Sequence, residues 1–284
     1  MSIRNDELIS QQKKLFALSY LTLIIWNIFL FYYSYKSTEL QIYNLLLTSG
    51  IIFICEDSLD EIKISKKNYL KFISSLLITL LLIRGIYSIS DRDPLSYLSL
   101  LVINFSFLLL IENPLLFKFS KQIIFLSFLM PLRFILKPLI TTVFTQFTIK
   151  STWLILNTLG YSSNIYDNNI LFKNTGIKIL EACSGSDQII FCITLTIILM
   201  ICYPLKSKLN IFLITIYSLA AGLIENSIRL AILAIFVKNN TIYSTNLFNF
   251  FHNSFGSLIF PLISTISIMM IYSNFFKKEN MISN

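Results

Sequence analysis

Charge is scarce in this chain of 284 residues. Asp, Glu, Lys and Arg make up 13% of it, against 55% hydrophobic residues and a mean hydropathy of +0.71. A soluble fold of this size could not hide so much apolar surface, and the repeated apolar runs near 20 residues match the thickness of a bilayer. There is one histidine. The four cysteines, Cys55, Cys183, Cys192 and Cys202, show no CxxC spacing and no histidine near them in sequence. A disulfide framework and a zinc site are therefore not expected, and no cofactor is implied. Basic residues do not interleave with aromatics in a stripe, so nucleic acid is not an expected partner despite the net charge of +8. In a membrane protein such an excess collects on the cytoplasmic face. No small-residue cleavage site follows the first apolar run, so a cleaved signal peptide is not expected. No internal repeat is visible.

What is present is a series of apolar runs. They predict eight spans, at about 15–35, 39–55, 70–90, 94–111, 122–147, 184–203, 209–237 and 254–276. Asp91-Arg92-Asp93-Pro94, Glu112-Asn113-Pro114 and Pro204-Leu205-Lys206-Ser207-Lys208 punctuate the connections. The expected fold is an all-α polytopic membrane protein with a short β-like segment. It forms one integral-membrane domain, with four spans over 1–121 and the remaining half over 122–284. The fifth span carries Pro131, Arg133, Lys137 and Pro138 and is expected to break at the prolines and to pack inside the bundle. A separate interfacial helix is expected from Ser151 to Leu159. Between Asn164 and Leu180, short alternating runs flank Asn168-Asn169 and Asn174-Thr175-Gly176, a pattern of small strands and turns.

Orientation follows from the basic residues. An N-terminus inside puts Arg4, Lys13, Lys14, Lys63, Lys66, Lys67, Lys71, Lys118, Lys121, Lys206, Lys208, Lys277 and Lys278 on the cytoplasmic side. Lys36, Arg92, Lys150, Lys173, Lys178 and Lys238 fall outside, the bias that a cytoplasmic N-terminus produces.

Three residues then stand out at the outer side. Cys183 opens the sixth span, where the positive end of a helix dipole favours thiolate. Ser184 is the expected N-cap, with Asp187 completing a weak capping box. Arg229 lies 20 residues beyond Leu209, about 30 Å along a helix. Asn226 and Glu225, three and four residues earlier, share its face. His252 opens the eighth span. Each has a bland reading: a small buried thiol, a Glu225–Arg229 ion pair that makes an intramembrane arginine tolerable, and a polar end-cap. Cys55, Cys192 and Cys202 receive that bland reading. Together the three residues supply what thiol acyl transfer needs. Cys183 is the nucleophile, His252 exchanges protons with the leaving and entering groups, and Arg229 holds the oxyanion or orients the substrate. Asn226 assists. Spacing shows a shared depth and does not show that the side chains meet. Two other readings remain open: a transporter with a polar pathway near Arg229, and a non-catalytic component of surface-polysaccharide export.

The ordered set Glu181-Ala-Cys183-Ser-Gly185, Asn226-x-x-Arg229 and His252-x-x-x-Gly256 resembles the exosortase/archaeosortase family over the C-terminal part of the chain. The resemblance implies a membrane-embedded cysteine protease or transpeptidase with a Cys–Arg–His site made by Cys183, Arg229 and His252. Glu181, Asn226 and Glu225 would support them. It also implies a periplasmic site in the inner membrane and secreted substrates carrying a C-terminal Pro-Glu-Pro-type signal. The new C-terminus would pass to a cell-surface acceptor, a lipid or polysaccharide. Many bacterial members follow Cys-Ser-Gly with a hydrophobic residue and an arginine, whereas this chain has Ser186-Asp187-Gln188, which is similar to the cyanoexosortase subgroup. The missing arginine leaves Asp187 opposing thiolate formation, so Arg229 and the helix dipole are expected to outweigh it.

Overall fold

The computed structural model describes residues 17–32, 38–56, 67–88, 94–111, 114–173, 175–180, 183–253 and 255–282. Its helices are α1 (Ala17–Tyr32), α2 (Thr38–Glu56), α3 (Asn68–Ser88), α4 (Ser99–Leu110), α5 (Pro114–Thr158), α6 (Ser186–Cys202), α7 (Lys208–Asn239), α8 (Ile242–Asn253) and α9 (Ile259–Ile282). Three short strands, β1 (Asn164–Tyr166), β2 (Asn169–Leu171) and β3 (Gly176–Lys178), lie between α5 and α6. Among the described residues, four helical stretches are long and apolar enough to cross a membrane: Asn68–Ile86, Phe119–Thr158, Lys208–Asn239 and Gly256–Met281. Shorter apolar helices run over Ala17–Tyr32, Leu40–Cys55, Ser96–Leu110 and Ser186–Cys202. Along α3, Phe72, Leu76, Leu80, Ile83 and Ile86 recur at helical spacing and stand exposed. Such a stripe is stable against lipid, not water. The chain is a multi-pass, predominantly α-helical membrane protein.

The described residues group into two compact units, Met1–Phe134 and Ile135–Asn284. Within the first, buried polar side chains join the helices. Asn27 donates to Asn44 at 3.1 Å and accepts from Ser99, while Asn104 accepts from Tyr20 at 2.6 Å and donates to Ser127 at 3.0 Å. With no water at this depth, each such group needs a protein partner, which selects the helix pairing. Arg133 is buried with its guanidinium 4.6 Å from the centre of the Tyr43 ring, a cation–π contact.

In the second unit α6 packs on α7, both pack on α9, and α8 packs on α7. At one end of α7, Glu279 of α9 accepts from the Lys206 and Ser207 amides and from the Asn210 side chain; the amide of Ser207, the N-cap, is one of the donors that a helix start leaves unpaired. Its other end is held by a core of Ile149 and Leu156 from α5, Ile170 from β2, and Leu230, Leu233 and Ala234 from α7. The strands form an antiparallel sheet in the order β1-β2-β3. Its first turn is Asp167-Asn168, one residue earlier than the expected Asn168-Asn169, because Asn169 pairs with Tyr166 and Asp167 takes the positive φ of 50°. Asn174 of the second expected turn lies outside the described residues.

Three expectations are corrected. The prolines do not break the fifth span: α5 is continuous for 45 residues, and its last turns are the segment expected as a separate interfacial helix. A helical proline removes one hydrogen bond, and the apolar turns on both sides keep the remainder of the ladder. Between the prolines burial is mixed: Arg133 is buried, whereas Phe134, Ile135 and Leu136 are exposed. Finally, a separate helix, α8, fills the gap left between the seventh and eighth spans. Its start is marked by a reciprocal cap: Ser244 N–H donates to Thr241 Oγ1 at 3.1 Å, and Thr241 N–H donates to Ser244 Oγ at 2.8 Å.

Candidate functional site

Cys183 sits in the turn that joins the sheet to α6, its amide donating to the Leu180 carbonyl at 2.8 Å. The thiol is half-buried and packs against the α5–β2–α7 core. None of the four cysteines is joined in a disulfide. Ser184 is not the N-cap of α6. That place belongs to Gly185, at φ 80°, and Ser184 Oγ instead accepts the Ser186 amide at 3.2 Å. The left-handed conformation explains the difference: it folds the chain back at 185, which an L side chain resists. The missing side chain matters as well. A Cβ at 185 would lie 2.7 Å from Asn226 Nδ2 and 3.0 Å from Asn226 Cγ.

That space lets Asn226 reach the turn. Its Nδ2 donates to the Cys183 carbonyl at 3.0 Å. One turn further along α7, Arg229 Nη2 donates to the His252 carbonyl at 3.3 Å. A single helix thus touches both the cysteine turn and the end of α8. His252 lies in the last turn of α8, not at the start of the eighth span, and its ring stacks on Phe248 one turn earlier, with centroids 5.1 Å apart and planes 11° apart. Arg229 Nε is buried with no hydrogen-bond partner among the described residues.

The supporting residues divide. Glu225 does not ion-pair with Arg229. Its Oε2 accepts from Gln188 at 2.9 Å, and Gln188 also donates to Ser264 of α9 at 3.1 Å. Helix geometry places the two side chains on one face, but α6 and α8 supply each with a closer partner. Glu181 and Ala182 lie outside the described residues.

Sequence reading missed the part played by α5. Lys137, Thr141, Thr145, Thr148 and Thr152 follow each other at steps of four, four, three and four residues, so they form one polar seam. Thr141 Oγ1 donates to Ser186 Oγ at 3.2 Å, Thr148 Oγ1 to the Ser184 carbonyl at 2.7 Å, and Thr152 Oγ1 to the Ser227 carbonyl of α7 at 3.4 Å. Lys137 Nζ lies 2.6 Å from Asp187 Oδ2. The charge expected to oppose a thiolate at Cys183 is therefore balanced by a lysine 50 residues away in the chain. The seam was visible as a periodicity of hydroxyl residues, masked by the apolar residues around it.

The family model described as transmembrane exosortase matches residues 42–269. No curated protein and no solved structure matches the chain.

Proposed function

Because the chain belongs to the transmembrane exosortase family, we propose that it is a cysteine peptidase and transpeptidase of the inner membrane. In this reading it cuts C-terminal Pro-Glu-Pro-type sorting signals from secreted proteins and passes the new carboxyl end to a cell-surface lipid or polysaccharide. The observation that carries the reading is the double attachment of α7, Asn226 to the Cys183 carbonyl and Arg229 to the His252 carbonyl. It ties the backbone at Cys183 and the backbone at His252 to successive turns of one helix, which supports a shared site.

The Cys183 thiolate attacks the scissile carbonyl. As the tetrahedral intermediate collapses, the C–N bond breaks and protonated His252 gives its proton to the leaving amine, leaving a thioester on Cys183. An acceptor hydroxyl or amine then attacks the thioester, returns its proton to His252 and releases the thiolate. Water in the acceptor's place gives hydrolysis. Arg229 donates to the oxyanion, and its unpartnered Nε–H supports that role. Asn226 holds the Cys183 backbone. The lysine distribution supports cytoplasmic termini with this site on the periplasmic side.

The test is the intact mass of a secreted protein bearing the signal, co-expressed with wild-type protein or with Cys183→Ala. Wild type should yield the shortened chain, with added mass where transfer has occurred. The variant should insert at normal abundance and leave the substrate full length. Normal processing by Cys183→Ala would end the enzyme reading. A substrate left unaltered by the wild type would favour a non-catalytic export component.

A further inference from the structure

The polar seam of α5 does more than pack. Its contacts fall on Ser184, Ser186 and Asp187, the residues that follow Cys183, and they arrive in order along the helix: Thr148 to Ser184, Thr141 to Ser186 and Lys137 to Asp187. Two of these are neutral hydrogen bonds and hold the turn in place. The third differs, because it carries charge. Asp187 stands in the first turn of α6 with its side chain 15% exposed, and Lys137 is 38% exposed. At such burial a charge on Asp187 is poorly screened by solvent and would act on a thiolate four residues earlier in the chain, in the turn before α6.

We infer that Lys137 is a positioning residue for Cys183: its ammonium cancels the Asp187 charge and so permits thiolate at the head of α6. The inference rests on the reading of Cys183 as nucleophile. Lysine suits the task because a compact ammonium on a long stem can cross from α5 to α6. Other charged or titratable groups on these elements include Lys150 on α5, Lys178 on β3, Glu225, Arg229 and Lys238 on α7, and His252 on α8, while Glu181, two residues before Cys183, lies outside the described residues. They are unchanged in every comparison below, so differences between variants report the pair.

The experiment follows alkylation of Cys183 by iodoacetamide, a neutral reagent, from pH 6 to 10 in detergent-solubilised full-length protein, with the modified peptide quantified by mass spectrometry. Lys137→Met removes the ammonium that lies 2.6 Å from Asp187 and should slow the reaction at neutral pH about 5- to 10-fold, moving the profile to higher pH. Lys137→Met with Asp187→Asn should return the rate to within about 2-fold of wild type, because no lone charge remains. Asp187→Asn alone, which keeps the lysine, should react at least as fast as wild type. This variant also keeps the test alive if Lys137→Met fails to fold. A purely structural pair predicts the opposite pattern: lower stability in every variant and an unmoved pH profile. The inference is overturned by an unchanged profile in Lys137→Met, by failure of the double variant to recover, or by slower alkylation in Asp187→Asn. Processing of a signal-bearing substrate by Cys183→Ala would instead overturn the catalytic reading and leave the alkylation result standing.

Discussion

Gly185→Ala is the substitution through which the geometry of the cysteine turn is most exposed to test. Two costs arise from one methyl group. The residue sits at φ 80°, where an L side chain costs about 1–2 kcal/mol. The new Cβ would also meet Asn226 at 2.7 Å from Nδ2 and 3.0 Å from both Cβ and Cγ, and Asn226 is itself 4% exposed, with little room to retreat. Overpacking of this kind costs about 1–3 kcal/mol. If Asn226 swings away, the Cys183 carbonyl loses its donor, for about 1 kcal/mol more. The expected loss is therefore roughly 2–5 kcal/mol from strain and overpacking, and roughly 3–6 kcal/mol where the Asn226 bond is lost as well. Asn226→Ala should cost only about 1 kcal/mol, since it removes the bond without the strain. In the double variant the clash with Nδ2 and Cγ is gone, so the combined loss should fall below the sum of the single ones by more than about 0.5 kcal/mol. Thermal unfolding of all four proteins in one detergent, with processing of a signal-bearing substrate alongside, measures both effects. An unfolding temperature for Gly185→Ala equal to wild type would refute the reasoning. So would strict additivity in the double variant.

Other perturbations follow from the same contacts. Gly222→Val would place a side chain where even a Cβ lies 2.9 Å from Ile189 Cα and 3.0 Å from Ile189 N, both backbone atoms, so α6 must move off α7. It should lower membrane abundance in an immunoblot and abolish processing; normal abundance would show that the two helices have slack. Arg229→Lys keeps the charge but loses the planar fork that reaches the His252 carbonyl, and turnover should fall on the order of 100-fold. Near-normal turnover would reduce Arg229 to a counter-charge. Thr148→Val preserves shape while orphaning the Ser184 carbonyl, and should lower stability by roughly 1–2 kcal/mol in denaturant unfolding. No measurable change would mean that the seam does not hold the turn.

The membrane class, the approximate positions of the long apolar helices and the candidate reactive residues were all legible in the amino-acid order. Those properties are local: run length against bilayer thickness, turn residues between runs, and reactive side chains at run ends. The ends of α7 at Lys208 and Asn239 fall close to the expected 209 and 237 for that reason. Local rules failed where neighbours overrode them. Pro131 and Pro138 read as breaks, yet α5 runs through them, because one lost backbone bond is small beside the apolar turns that continue on either side. Glu225 and Arg229 share a face of α7, yet each finds its partner on another helix. His252 was legible as a residue but not as the end of α8, whose Thr241–Ser244 cap is a weaker signal than an apolar run.

How the cysteine turn is held depends on contacts between helices. Gly185 opens space for Asn226, α5 lays its threonines along residues 184 and 186, and Lys137 meets Asp187 from 50 residues away. In sequence, Asp187 stands as an uncompensated acid beside a thiol. The side chain that cancels it lies on another helix, and a pairing of that range is set by how helices pack, which no local pattern encodes.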